Sequence, residues 1–372
     1  MARLSDLRIL MTADAVGGVW TYATALATAF AARGAAIQLV IQGAAPSPAQ
    51  RSMVSESAVR LVQSPLALEW QDPSGTNMDA ARRFYGAFEA DFQPDMVHLN
   101  SFREAAFEWH CPVLVAAHSC VNSWALACGD TAWLVDEKWR RYTRLAATGL
   151  HHATAWVCPT RAFYDVIQEL YQPRAPGFVI WNGSPRQAAE VDDKEAMILA
   201  AGRMWDAAKN LSILAEAAHG LDWPVLVAGS TGDLAPPSSV RLLGALSHAE
   251  LSQLMQRAAI FASPARYEPF GLSVLEAASA GCALVLADIP TFRELWDGAA
   301  LFIDPTDAGA LHGTLGALCA DPARRSRLQQ AARARARHYP LRRMVDSYAA
   351  LYQSLLAQNR KSMAVAEMEA SA

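Results

Sequence analysis

Two carboxylates, Glu268 and Glu276, stand with seven residues between them in the stretch from Ser263 to Asp288. The apolar run 259–262 before this stretch reads as a buried strand, and the run 282–287 near its end as another. Between them Pro269 and Gly271 mark a turn, a short helix is expected from about Ser273 to Ala280, and Gly281 stops it. Glu268 then falls in a loop and Glu276 one turn into the helix. The backbone amides of Phe270, Gly271 and Leu272 lie between them, near the positive end of the helix. In a strand–loop–helix–strand unit such a loop sits at the carboxyl end of the sheet, where open α/β folds bind ligands. Acceptors and donors converging there suit a polyhydroxylated ligand such as a sugar nucleotide. Ser273 and Glu276 also have capping-box spacing, which needs no ligand, and spacing alone does not separate the two readings.

A second strand-to-helix connection carries two cations. Arg203 follows the apolar run 197–202, and Lys209 stands just before Asn210. A planar guanidinium fork and a compact ammonium can together neutralise a diphosphate leaving group, although as isolated charges they would be ordinary surface residues. His118 ends the apolar run 112–117. A histidine at a strand end is commonly a structural hydrogen-bonder, and a neutral imidazole there can also donate to a ligand hydroxyl. Gly17 and Gly18 separate the first strand from a helix. Tight turns use such pairs constantly, but bare backbone also lets a phosphate approach a helix N-terminus. Trp20, Trp124, Trp133 and Trp139 offer faces that stack on sugars, and core packing accounts for them as well.

The pattern around these residues resembles glycosyltransferase family 4, retaining enzymes of the GT-B fold. The match rests on Ser263-Pro, Glu268-Pro-Phe-Gly271-Leu, Glu276-Ala, Ala280-Gly281 and Asp304-Pro305, and on Gly202-Arg203 with Asn210 seven residues after the arginine. It covers nearly the whole chain and is tightest from Met197 to Pro305. The resemblance implies a catalytic set of Arg203, Lys209, Glu268 and His118. In it Arg203 and Lys209 stabilise the departing diphosphate, Glu268 binds hydroxyls of the donor sugar, and His118 steadies that sugar. It implies donor contacts from Gly17, Gly18, the amides of Phe270, Gly271 and Leu272, the backbone near Leu246, and Glu276 on the ribose. The family often has an acidic residue just before the lysine; Ala208 stands there, so that position is given no role. Trp20, Trp124 and Trp133 are the candidates for an acceptor platform. No Asp-x-Asp motif occurs, so no metal and no other cofactor is required beyond the nucleoside-diphosphate sugar as co-substrate.

The expected activity is transfer of a hexosyl group, with retention, to a hydroxyl on a carbohydrate, lipid-linked or small-molecule acceptor. A sugar-nucleotide epimerase, which the same architecture also hosts, and a non-catalytic nucleotide-sugar binder stay open as alternatives.

The elements that must position these residues alternate strand and helix in both halves, as in a doubly wound α/β fold. Strands are expected at 8–13, 37–41, 59–62, 95–99, 112–118, 154–158 and 178–183, then at 197–202, 224–229, 240–244, 259–262, 282–287 and 300–303. Residues 43–57 read as loop, Ser247–Glu250 and Thr291–Glu294 as capping boxes, and 184–195 as a linker. The expected architecture is α/β, GT-B, with two Rossmann-like domains facing a cleft. Residues 1–184 form the acceptor-side domain, joined by a returning helix at 341–360. Residues 195–340 form the nucleotide-sugar domain, and 361–372 a disordered tail.

With 372 residues, 52% of them hydrophobic, the chain has ample material for two cores. A formal net charge of −4 argues against a nucleic-acid partner. The eight arginines from Arg324 to Arg343 read as a solvated helix face; contact with acidic lipid headgroups is the alternative, and the overall acidity allows at most a weak peripheral membrane contact. Six cysteines without Cys-x-x-Cys or zinc-like spacing read as free thiols of a cytoplasmic protein. Neither a signal peptide nor an uninterrupted apolar span of membrane length is visible.

Overall fold

Short runs of Val, Ile, Leu and Ala, apolar on both faces, build strands that need cover on two sides, and parallel sheets provide it. The computed structural model describes Ser5 and residues 7–185, 194–233 and 237–370. Its first half holds β1 (Arg8–Asp14), α1 (Gly18–Ala31), β2 (Ala36–Gln42), α2 (Pro48–Ser52), β3 (Arg60–Gln63), α3 (Met78–Phe92), β4 (Met96–Leu99), β5 (Val113–Ala116), α4 (Val121–Cys128), α5 (Glu137–His152), β6 (Ala155–Cys158), α6 (Arg161–Tyr171) and β7 (Gly177–Val179). The second half holds β8 (Glu195–Ala201), α7 (Leu211–Ala218), β9 (Val225–Ala228), β10 (Arg241–Gly244), α8 (His248–Arg257), β11 (Ala258–Ser263), α9 (Leu272–Ser279), β12 (Ala283–Ala287), α10 (Pro290–Trp296), β13 (Ala300–Ile303), α11 (Ala308–Ala320), α12 (Pro322–Ala336) and α13 (Leu341–Ala370).

The chain forms two units. Unit 1 comprises Met1–Leu126, Asp130–Trp181 and Leu341–Ala372; unit 2 comprises Asn182–Pro340 with Ala127–Gly129. Unit 1 has a seven-stranded sheet in the order β3-β2-β1-β4-β5-β6-β7, parallel throughout. Unit 2 has a six-stranded sheet in the order β10-β9-β8-β11-β12-β13, also parallel throughout. In each sheet the strand order reverses at one place, between β1 and β4 and between β8 and β11. Loops leaving such neighbours diverge, which opens a crevice at their carboxyl ends.

In unit 1, Leu10, Val97, Leu114 and Trp156 are fully buried. α13 packs onto this sheet. Its Tyr352 ring lies 5.3 Å from Phe30, its Tyr352 hydroxyl is bonded to Nδ1 of His98 on β4, and Asp346 pairs with Arg33 at 2.7 Å. The core of unit 2 gathers Ile198, Val227, Ile260 and Val285 from the strands and Leu214, Leu311 and Leu315 from the helices.

Some sequence expectations are corrected. The tail expected to be disordered from Lys361 continues α13 as helix to Ala370. Its residues are mostly strong helix formers without Gly or Pro, so the helix propagates from turns that are already packed. Residues 43–57 contain α2, one short turn fixed by a capping box of Ser47 and Gln50. The Ser247–Glu250 box forms, but the two others do not. α9 starts from Gly271 and α10 from Ile289, neither with a side-chain cap, so Ser273 and Thr291 already lie inside their helices. Of the linker expected at 184–195, residues 186–193 lie outside the described residues, and Glu195 is already the first residue of β8.

Candidate functional site

Unit 2 carries both charged motifs at the carboxyl ends of neighbouring strands, β8 and β11. After β8 the chain is pressed against the end of β9. A Cβ on Gly229, whose φ is +130°, would lie 1.7 Å from the Gly202 carbonyl oxygen, so only glycine fits there. The Met204 amide donates to the Ser230 carbonyl at 2.8 Å. Arg203 turns its guanidinium onto Asp206 (Nη2 to Oδ2, 3.3 Å) and lies 5.7 Å from the Trp205 ring. The other Asp206 oxygen accepts the Ala208 amide at 3.0 Å, capping a single 3₁₀ turn over Ala207–Lys209.

Asn210 then takes a left-handed conformation, φ 58°. Its buried side-chain amide donates to the carbonyls of Pro264 (2.9 Å) and Pro305 (2.7 Å). The Arg266 amide donates to the Ala208 carbonyl at 2.9 Å. These bonds lock the loop after β8 to the loops after β11 and β13. Lys209 is thereby brought to Glu268: its Nζ donates to Oε2 at 2.6 Å, and both side chains are more than four-fifths buried. The Thr291 hydroxyl donates to the Glu268 carbonyl at 2.6 Å and holds that loop from the α10 side.

The signature continues into α9. Gly271, φ +86°, is its N-cap, and a Cβ there would crowd Phe292 at 3.0 Å and Glu268 at 3.3 Å. Phe270 is buried edge-on against Tyr339 (6.0 Å), so its side chain is core and only its backbone is available to a ligand. Glu276 lies on α9 with Oε1 4.0 Å from Nδ1 of His248, the first residue of α8. Leu246 is half-buried in the turn between β10 and α8.

In unit 1 the expected residues fall into three groups. Gly17 is the N-cap of α1 with φ 86° and ψ −140°, a region closed to other residues, and Gly18 opens the helix; both are exposed. His118 follows β5, half-buried, with Nε2 2.8 Å from Asn100 Oδ1 and the Tyr22 ring edge-on at 4.3 Å. Burial lowers its pKa to about 4, so the ring is neutral near pH 7.

The tryptophans separate. Trp20 is 1% exposed, on the face of α1 that also buries Ala23, Ala27 and Phe30, so it offers no stacking surface; its acceptor role is withdrawn. Trp124 and Trp133 are half-buried, 6.4 Å apart, and continue into Trp139 (4.9 Å from Trp133) and Tyr142.

The contacts of Asn100 with His118 in unit 1, and of His248 with Glu276 and Thr291 with Glu268 in unit 2, escaped the sequence reading because they join elements whose adjacency no local spacing announces; Asp206 holds Arg203 and the Ala208 amide within its own turn. None of the six cysteines is in a disulfide. Among the described residues no group of three or more His, Cys, Asp or Glu could hold a metal ion, and no helix is long and apolar enough to cross a membrane.

Comparison with known proteins bears on the whole chain. A family model described as Glycosyltransferase Family 4 matches residues 16–186, and one described as Glycosyl transferases group 1 matches residues 184–335. A D-inositol 3-phosphate glycosyltransferase of Xylanimonas cellulosilytica is 26% identical over 88% of this chain and 89% of its own length. A glycogen synthase of Mycobacterium tuberculosis is 37% identical over 26% of this chain; that match spans only 24% of the synthase.

Among solved structures, sucrose-phosphate synthase from Thermosynechococcus elongatus superposes with a TM-score of 0.77 at 18% identity, covering 95% of this chain and all of that one. Anabaena HepE in complex with UDP and glucose gives 0.72 at 16% identity, covering 94% of this chain and all of that one. The two parallel α/β units have the GT-B architecture of these neighbours. Since the two family models together run from residue 16 to residue 335, on either side of the point where the chain passes from one unit to the other, the chain belongs to glycosyltransferase family 4.

Proposed function

We propose that the protein transfers a hexosyl group, with retention and without a metal, from a nucleoside-diphosphate sugar to a hydroxyl acceptor. The observation that carries this reading is the Lys209–Glu268 contact, with Arg203 on the same loop. A cation that grips a diphosphate and a carboxylate that takes sugar hydroxyls are needed on adjacent parts of one ligand, and these two side chains touch.

In unit 2, Arg203 and Lys209 take the charge that grows on the departing diphosphate, which is where such a reaction needs most help. Glu268 and the amides of Phe270, Gly271 and Leu272 take the sugar, Glu276 the ribose hydroxyls, and the backbone near Leu246 the base. In unit 1, the Gly17-Gly18 turn receives phosphate and His118 a sugar hydroxyl. The acceptor attacks from the face the diphosphate leaves, and the diphosphate oxygen takes the acceptor proton. Trp124 and Trp133 are the proposed acceptor-side surface. The chain acts in the cytoplasm on this reading, where nucleotide sugars are made.

The test incubates purified protein with UDP-, GDP- and ADP-sugars, with and without carbohydrate, lipid-linked and small polyol acceptors. Acceptor-dependent diphosphate release and an unchanged anomeric configuration by NMR support transfer with retention. Product formed without acceptor shows epimerisation, and calorimetric binding without turnover shows a binder. Activity that survives EDTA supports the metal-free reading, and its loss to chelation overturns it.

A further inference from the structure

We propose that Asn100 is a positioning residue that holds His118 in the tautomer protonated at Nε2, leaving Nδ1 as an acceptor for a ligand hydroxyl. This deepens the reading above and rests on it for the ligand, but not for the tautomer.

Thr12 on β1 fixes Asn100 at two points. The Asn100 backbone amide donates to the Thr12 hydroxyl at 2.8 Å, and the Asn100 side-chain Nδ2 donates to the Thr12 carbonyl. A carbonyl only accepts, so the NH2 side of the amide must face Thr12, and Oδ1 is left on the opposite side. Oδ1 also only accepts, and it lies 2.8 Å from Nε2 of His118. Nε2 must therefore carry the proton. Burial keeps the ring neutral, so it holds one proton and Nδ1 holds a lone pair.

The ring plane is held as well. Tyr22 packs edge-on at 4.3 Å, and its hydroxyl lies 3.2 Å from Nε2 of His98, whose Nδ1 is bonded to Tyr352 of α13. β4, α1 and α13 thus converge behind His118. The chemistry left to the ring follows from the tautomer. A bare Nδ1 accepts from a sugar hydroxyl and gives nothing to a phosphate or carboxylate oxygen, the reverse of the donating histidine expected from sequence.

The test is long-range proton–nitrogen NMR on full-length protein with 15N-labelled histidine, at neutral pH and without ligand. Wild type is expected to show His118 protonated only at Nε2. Asn100→Ala is expected to show a mixture or the Nδ1-protonated form. Asn100→Asp gives up the bond to the Thr12 carbonyl but keeps an oxygen toward Nε2, through the backbone bond to the Thr12 hydroxyl, and is expected to retain the Nε2 proton. In turnover assays Asn100→Ala should lower kcat/KM for the sugar nucleotide about tenfold, the worth of about one hydrogen bond, with affinity for the free nucleoside diphosphate unchanged. A wild-type His118 protonated at Nδ1 overturns the proposal, and so does an Asn100→Ala protein with the wild-type tautomer. If Asn100→Ala does not fold, the wild-type and Asn100→Asp spectra still decide. An Nε2-protonated His118 in a protein that turns over no sugar nucleotide sustains the positioning role and removes the proposed function.

Discussion

Lys209 and Glu268 each complete the other's charge at a place where water reaches only a small part of either side chain. On the proposed function, truncating the lysine does two things: it removes a stabiliser of the leaving group and leaves a carboxylate facing the diphosphate. We expect Lys209→Ala to lower kcat by about 10²–10³-fold, the usual loss for one preorganised charge stabiliser. Adding Glu268→Gln to that variant should cost less than Glu268→Gln costs wild type, because the uncompensated charge disappears. The coupling expected for contacting residues is about 0.5–3 kcal/mol. Steady-state kinetics on the four proteins measures it, with urea unfolding as the control for folding. Independent effects would show that the pair is not one functional unit, and a wild-type rate for Lys209→Ala would falsify the diphosphate assignment. The motif residues were readable because charge type and spacing survive in one dimension. The place of His118 at the end of a strand was visible, but its bond to Asn100, which follows β4 and is fixed in turn by Thr12 on β1, was not.

At the scale of elements, capping shows what a local pattern decides. Ser247 and Glu250 form the box that their spacing announces. Ser273 and Thr291 have the same spacing, yet Gly271 and the Ile289-Pro290 step start their helices earlier, and the Thr291 hydroxyl goes to the Glu268 carbonyl instead. Ser247→Ala is therefore expected to cost about 1 kcal/mol and Ser273→Ala almost nothing, by chemical unfolding. Trp20 teaches the converse lesson: its spacing to Ala23, Ala27 and Phe30 marked a buried stripe, and that signal outranked the aromatic chemistry. Asn210 joins loops 54 and 95 residues away, which no spacing could reveal. Asn210→Ala loses both bonds and must hold φ 58° with an ordinary side chain, for about 2–4 kcal/mol in total. Asn210→Gly relieves only the backbone part, so it should recover about 1 kcal/mol and still lack the bonds that seat Lys209. Equal stability of the two variants would remove the left-handed backbone from the explanation.

Across the whole chain, three groups of unit 1 set the response to mild acid: His98, fully buried, and His118 and Glu69, half-buried. Burial lowers His98 to about 3, with His118 beside it adding to the effect, and lowers His118 to about 4. Both stay neutral in the folded protein while the unfolded chain protonates them below about 6.5. Stability is therefore lost as pH falls through that range. Glu69 acts in the opposite sense. Burial, reinforced by the Glu104 charge, pushes it up to about 7 against the pull of Arg103 and of the Phe102 and Arg103 amides. The folded protein then holds a proton that the unfolded chain gives up above about 4.5, so Glu69 adds stability as pH falls from 7 to 4.5. Between pH 6.5 and 4.5 the unfolded chain binds two protons more through the histidines and one fewer through Glu69, a net of one. The expected slope is about 1.4 kcal/mol lost per pH unit, and Glu69→Gln should double it to about 2.8. Gln keeps an oxygen for the two amides that donate to Glu69 Oε1, so the change removes the titration and leaves those bonds. Amide hydrogen exchange on peptides from β4 and α13, corrected for intrinsic rates, follows the stability of unit 1 separately from unit 2. A Glu69→Gln protein with an unchanged acid slope would show that this carboxyl titrates normally, and a wild type with no slope between pH 6.5 and 4.5 would show that the buried histidines take up protons without unfolding.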